Sequence, residues 1–526
     1  MSIKKRTLLI LSLVVASASC TDVTTEPQST ISSVNVFSES ASYKQFLAKI
    51  YGGLALSGQA GPAGNGDIQG LDEGFSQYVR LLWQMQELPT DEAVIAWNDG
   101  PLQELNTQAW GSSNAFLGSM YYRIYFQVAM ANEFLRETSD TKLASRGVTG
   151  ALATEIKTYR AEARFLRALS YWHGVDLFGN IPLVTEANAI GKTPPTQATR
   201  SDVFAFVVAE LTAARSDLPA AGTGQYGRAD QGAVAMLLAK LYLNAQVYTG
   251  TARYAEARAE AERVIAGTYR IDDNFRRIFS ADNHTSPEMV FPVPQDGKKT
   301  QSFGGTTFLI HASVGGSMNA RAYGVDGGWF GLRLKPEVLA LFPGNGGPVS
   351  ADKRSSHFYS PGQTASIANL TDFSNGIGGP KFTNVTSTGQ PGSDLGFPDT
   401  DFPMFRLADA YLMYAEAVVR GGGGTRTQAL DYVNQLRARA YGNTSGNLTD
   451  AQLTADFLLD ERGRELLWEG TRRTDLIRYG KFTTTGVWAW KGNVRAGRTT
   501  EAFRNLYPLP ASEIIVNPNL KQNAGY

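Results

Sequence analysis

The chain has 526 residues, 43% hydrophobic and 11% aromatic, enough to bury a large core and too apolar for a chain disordered throughout. Lys+Arg and Asp+Glu each number 49, so no bulk basic charge points to nucleic acid. A single cysteine, Cys20, excludes an internal disulfide, a Cys-rich zinc site and an iron–sulfur cluster.

Residues 1–19 read as a secretory signal. Lys4, Lys5 and Arg6 precede an apolar run from Leu8 to Ala16, too short to span a bilayer, and small residues follow. Cys20 stands directly after it, where lipid attachment makes the cysteine the mature N-terminus. Ser17 occupies the place that the bacterial lipobox usually gives to Leu. Each buried methylene of an acyl chain contributes ~0.8 kcal/mol, so a triacylated Cys20 would anchor the chain permanently. Residues 20–40, rich in Ser and Thr, read as a tether. No later apolar run reaches 18 residues, so nothing downstream is expected to span a membrane.

The body then turns helical. Ile124, Val128, Ala131 and Leu135 keep helical spacing, as do Phe165, Leu169 and Trp172. Thr199 to Asp202 fits a capping box, opening a helix that buries Phe204, Val207, Val208, Leu211 and Ala214. Ala235, Leu238, Leu241 and Tyr242 form the next apolar face. After a turn at Thr249-Gly250 comes a helix carrying Tyr254, Ala257, Ala261, Val264 and Ile265. Paired helices with alanine at the crossing points are the mark of a tetratricopeptide-type unit. A similar pair is predicted over 407–420 and 427–440, joined by Gly421 to Gly424. Between these pairs, residues 301–400 hold 18 glycines and read as long loops, which usually carry function.

Catalytic motifs are scarce. Gly222 to Gly227 matches G-x-G-x-x-G but follows a helix end rather than a strand, so it reads as a loop. The four histidines show no metal spacing. Acid pairs such as Asp91-Glu92 occur by chance among 49 acids and read as a cap or a structural network. Trp172 and Trp468 lie in helical patterns and read as core. Trp97 and Trp329 lie in loops rich in Asn, Asp and Gly, where an indole either folds back as packing or offers a stacking face to a sugar ring.

Several segments in order resemble the SusD/RagB family of outer-membrane nutrient-binding lipoproteins of Bacteroidetes-type bacteria. They are Ala161 to Ala168 running on to Phe178-Gly179-Asn180-Ile181-Pro182-Leu183, Arg406 to Ala417, Glu461 to Leu466 with Asp475 to Arg478, and Tyr507-Pro508-Leu509-Pro510 leading to Asn517 to Tyr526. Ala524 stands where the family commonly has Pro. The resemblance implies a mostly α fold of tetratricopeptide-like helix pairs with a loop-rich ligand-binding region. One globular domain would cover 41–526, with helical scaffold over 41–270 and 402–526 and a loop-rich insertion over 271–401.

The resemblance also implies a surface-facing outer-membrane lipoprotein, not an enzyme. It would bind a glycan and deliver it to a SusC-like TonB-dependent barrel transporter. Arg80, Trp97, Asn98 and Trp329 carry over by position as ligand-binding residues, with Tyr323 added for its loop setting. No cofactor is called for, although the Asn/Asp-rich loops leave room for a structural calcium ion. Alternatives are a peptide-binding RagB-like importer and a surface glycosidase.

Overall fold

The computed structural model describes residues 36, 37, 39–64, 66–72, 74–191 and 193–526. The signal segment, Cys20 and most of the tether lie outside the described residues. The described residues up to Tyr43 belong to one compact unit, in which Tyr43 Oη donates to the Phe37 carbonyl. Lys44–Tyr526 is the other unit.

Helix dominates. The principal elements are α1 (Ser40–Ala55), α2 (Tyr78–Glu87), β1 (Ala93–Ile95), α3 (Ala115–Glu137), α4 (Gly150–Phe178), α5 (Arg200–Ala214), α6 (Gln231–Leu243) and α7 (Tyr254–Ile265). Then come β2 (Met289–Val293), α8 (Gly305–Ser313), β3 (Leu332–Leu334), β4 (Ile377–Gly378), β5 (Phe402–Arg406), α9 (Leu407–Val419), α10 (Arg426–Tyr441), α11 (Ala455–Glu465) and α12 (Arg472–Arg478). No described helix is long and apolar enough to cross a membrane.

The helical pairs form where periodicity predicts them. Thr199 caps α5, its Oγ1 accepting from Asp202 N at 3.1 Å. The helix α6 is apolar apart from Gln231 and Lys240, the latter paired with Asp409, and is buried from Gly232 onward, packed against α7 and α9. Ala257, Ala261 and Val264 are the buried face of α7, and these small side chains let it approach α6 and α9 closely. The pair α9–α10 repeats the arrangement. Gly222 to Gly227 is a loop as expected, tied down by Gly222 N donating to Asp230 Oδ2 at 2.7 Å beside the start of α6.

Two expectations change. Trp468 does not sit in a helix: α11 ends at Glu465, and Trp468 adopts φ 61° with its ring fully buried edge-on to Trp83 at 5.7 Å. That core contact holds a bulky residue in a conformation it would otherwise avoid. The loop-rich middle also holds a helix, α8, which periodicity missed. Its Gly305-Thr306-Thr307 start has low helix propensity, and Gly304 before it has no side chain to cap it; the Gly305 N–H is met instead by Gln77, 228 residues away.

A buried ionic network fastens the segments before α9 to α11. Arg406, at the end of β5, pairs with Glu288 and Glu465 at 2.7 Å each and Glu469 at 2.6 Å. Arg354 pairs with Asp352, Glu461 and Glu465 at 2.6, 2.8 and 2.9 Å. Arg439 adds Glu288 at 2.6 Å. Desolvating so many charges is costly, and the cost is met only because each partner is hydrogen-bonded. Asp91 and Glu92 are structural in the same sense. Asp91 grips Arg472 at 2.8 and 2.7 Å, and Glu92 accepts from Trp468 N at 3.1 Å.

Candidate functional site

The site begins with backbone pairing. β1 and β3 run antiparallel with Ile95 opposite Leu332, and β4 extends the sheet on the far side of β3. The pairing continues past the strand ends, where Ala96 N donates to the Gly331 carbonyl at 2.9 Å. Trp97 and Trp329, 232 residues apart in sequence, are thereby brought side by side. Trp97 Nε1 donates to the Trp329 carbonyl at 2.8 Å, and the rings lie 6.2 Å apart at 46°.

Each indole is held from behind. Trp97 meets Phe308 of α8 at 5.8 Å and Phe75 at 6.5 Å, both edge-on. Trp329 N donates to the His311 carbonyl at 2.7 Å, which satisfies a carbonyl near the end of α8. The His311 imidazole stacks on the Trp329 ring at 4.7 Å and 22°. Burial lowers the His311 pKa below its usual value, opposed by the Gly327 carbonyl, Asp326 and the Gly396 carbonyl.

Arg80 lies in the first turn of α2, under the aromatic wall. Gln77 caps that helix, its Oε1 accepting from Arg80 N at 2.8 Å and from Gly305 N at 2.9 Å, while its Nε2 donates to the Leu54 carbonyl at 2.6 Å. One side chain thus joins the ends of α1, α2 and α8. The Arg80 guanidinium sits 4.0 Å from the Phe75 ring centre, 4.5 Å from Phe308 and 5.5 Å from Trp97. Its Nη1 donates to the Phe303 carbonyl at 2.9 Å. Burial lowers the Arg80 pKa to about 9, against the pull of Asp72 and Asp99.

Asp72, Arg80, Trp97, Asp99 and Trp329, with Phe75 and Phe303, line one cleft of ≈ 390 Å³. Its chemistry is two fixed indole faces beside carboxylates, over a buried cation. Flat rings with a weakly polar face can stack there, and Asp72 and Asp99 can accept from hydroxyls.

Comparison with known proteins fits this architecture. Residues 349–526 match the family described as the SusD family, and residues 76–243 match one described as starch-binding, associating with outer membrane. The starch-binding protein SusD of Bacteroides thetaiotaomicron is 33% identical, over 91% of this chain and 91% of its own length. The chain belongs to the SusD family.

Other SusD-family relatives agree. SusD-like protein P2 of Formosa agariphila is 25% identical over 81% of this chain and 84% of its own length. In fold, a SusD superfamily protein from Parabacteroides distasonis superposes with TM-score 0.70 at 22% identity, covering 92% of this chain and 99% of that one. The surface glycan-binding protein A of Bacteroides thetaiotaomicron, solved in complex with laminarihexaose, gives 0.69 at 19% identity over 91% and 98% of the two chains.

Within this SusD-family protein, the sequence-predicted site residues divide. Arg80, Trp97 and Trp329 share the cleft. Asn98 is exposed and outside its lining, while its neighbour Asp99 belongs to it. Tyr323 ends a short turn, Ala320–Tyr323, and lines a different cleft. Trp97, for which the sequence leaves packing and stacking both open, does some of each: it is half-buried against α8 because the sheet carries it there. Sequence reasoning missed Phe75, Phe303 and His311. His311 was set aside for lack of metal spacing, and the two phenylalanines carry no local signal beyond their aromaticity.

Proposed function

We propose that this protein captures oligo- or polysaccharides at the cell surface and delivers them to a TonB-dependent barrel in the outer membrane, without turning them over. The Trp97–Trp329 pair carries the reading: two indoles locked by backbone contacts offer stacking faces to successive sugar rings. Asp72 and Asp99 take hydroxyls at the rim, with Asn98 on its exposed side, and Arg80 supports the platform from beneath. Membership of the SusD family, and the starch-binding relative within it, support the ligand class. The signal and Cys20 support a lipid anchor in the outer membrane.

The test is calorimetry of the mature chain with maltohexaose and laminarihexaose, beside Trp329→Ala. Binding of either sugar by the parent, weakened in the variant and without release of smaller sugars, is expected. Absence of binding to both, or equal binding by the variant, would remove the aromatic cleft from the function. Recovery of a barrel protein with this lipoprotein from gently solubilised outer membranes is the corresponding test of the partner.

A further inference from the structure

The cleft that takes Tyr323 is larger than the aromatic one, at ≈ 430 Å³, and its chemistry differs. Arg276, His357, Tyr323 and Tyr359 form much of its wall, and Asn274, Thr383 and Ser387 add an amide and hydroxyls. Among the described residues, no Asp or Glu lines it. Asp282 approaches from outside the lining, where its carboxylate accepts from Ser387 N at 2.7 Å.

Arg276 is the unusual member. Its guanidinium makes one hydrogen bond among the described residues, from Nη1 to the Lys381 carbonyl at 3.0 Å, and pairs with no described carboxylate. The neighbouring Arg277 is paired, with Asp272 at 2.6 Å. A guanidinium has five N–H donors, so most of the Arg276 fork is unused. Burial lowers the Arg276 pKa to about 10, and what opposes it is the Tyr323 hydroxyl rather than an acid. Burial holds His357 well below its usual value, with smaller contributions from Arg276 and from Lys381, which is itself paired with Glu469 at 2.6 Å. A half-desolvated cation without a counter-ion gains most from an anion that arrives with acceptor oxygens in a fork.

We propose that this cleft binds the anionic group of an acidic oligosaccharide, a uronate carboxylate or a sulfate ester, on Arg276, with the sugar ring against Tyr323 and Tyr359. The proposal rests on the reading of the chain as a saccharide binder. It adds a second site with a selectivity that the aromatic cleft lacks. Asn274, Thr383 and Ser387 would serve the ring hydroxyls, and Arg276 would separate charged from neutral glycans.

The experiment is calorimetry of the mature chain with trigalacturonate, with a sulfated galactose oligosaccharide and with maltohexaose, on the parent and on Arg276→Gln, Arg276→Lys, Tyr323→Ala and Trp97→Ala. At least one acidic sugar is expected to bind, and which one does so distinguishes carboxylate from sulfate. Arg276→Gln should weaken it at least tenfold, Arg276→Lys less, and Trp97→Ala less than twofold. Excess maltohexaose should not displace it. Melting curves accompany each variant; if Arg276→Gln fails to fold, Arg276→Lys and Tyr323→Ala decide. The proposal is overturned if neither acidic sugar binds, if folded Arg276 and Tyr323 variants bind like the parent, or if Trp97→Ala abolishes acidic binding. Maltohexaose binding and its loss in Trp97→Ala report on the aromatic cleft alone, so the two sites fail separately.

Discussion

The indole N–H of Trp97 bonds the main-chain carbonyl of Trp329, not its side chain. The contact therefore survives any residue at 329, whereas nothing replaces it when Trp97 is lost. The two tryptophans are equal as stacking faces and unequal as structure.

That inequality predicts different outcomes for two similar substitutions. Trp97→Ala and Trp329→Ala should each weaken glycan binding by roughly tenfold to a hundredfold, from lost stacking and lost burial. Trp97→Ala should also destabilise the fold by about 2 kcal/mol, a fraction of the full core value because the ring is half-buried. Trp329→Ala should cost less stability. Calorimetry and thermal melts on the same preparations check both; equal melting temperatures would place the two indoles on the same footing.

Gly331 offers a way to move the platform without removing a ring. A Cβ at this position would lie 2.8 Å from Trp97 Cε2 and 2.9 Å from Cζ2, closer than real contacts allow. Gly331→Ala should push the indole off its seat and break its bond to the Trp329 carbonyl. Binding should fall by about tenfold, roughly 1.4 kcal/mol, while the sheet and helices persist. Tryptophan fluorescence should shift with the affinity; an unchanged spectrum with unchanged affinity would refute the crowding.

Acid should unfold the scaffold through its buried carboxylates. Burial raises the Glu416 pKa, but Arg478, which pairs with it at 2.7 Å, and Arg420 outweigh this and hold it at about 2. The folded value lies below the unfolded one of about 4.3, so the stabilisation is complete at neutral pH and is lost as pH falls from about 4.3 through about 2. The loss from this residue is about 3 kcal/mol. Urea titrations at pH 7, 4 and 2.5 should show stability falling over that window. Glu416→Gln should flatten this dependence while destabilising the protein at pH 7 by roughly 3 kcal/mol, because Arg478 loses one of its two carboxylates and keeps Asp475 at 2.8 Å.

Cys20→Ala should abolish acyl labelling and release the protein from the membrane fraction or leave it unprocessed. Normal labelling in this variant would place the anchor elsewhere.

The helical scaffold was legible because its signals are local. Thr199 with Asp202, and Ala257 with Ala261, state a helix start and a helix contact within a few residues. Trp468 was legible as core but not in its backbone, which its contact with Trp83, 385 residues away, holds outside the helix. The candidate site was half legible. Trp97 and Trp329 stood out as aromatics in loops, but only the register of β1 on β3 brings them together, and a three-residue strand leaves little pattern. Tyr323 shares its loop setting with Trp329, yet it lines the cleft of Arg276, because neighbours along a loop need not face the same space.

The ionic network that joins Arg354, Arg406 and Arg439 to Glu288, Glu461 and Glu465 bears on how such a protein can diverge. Each of these six has more than one partner, so neutralising one strands none of the others outright but leaves a dry interior out of charge balance; single changes here should be disfavoured and compensated changes favoured. The exposed rims of the two clefts carry no such constraint. Divergence in ligand preference should therefore accumulate in the loops, while these arginines and glutamates drift together or stay as they are.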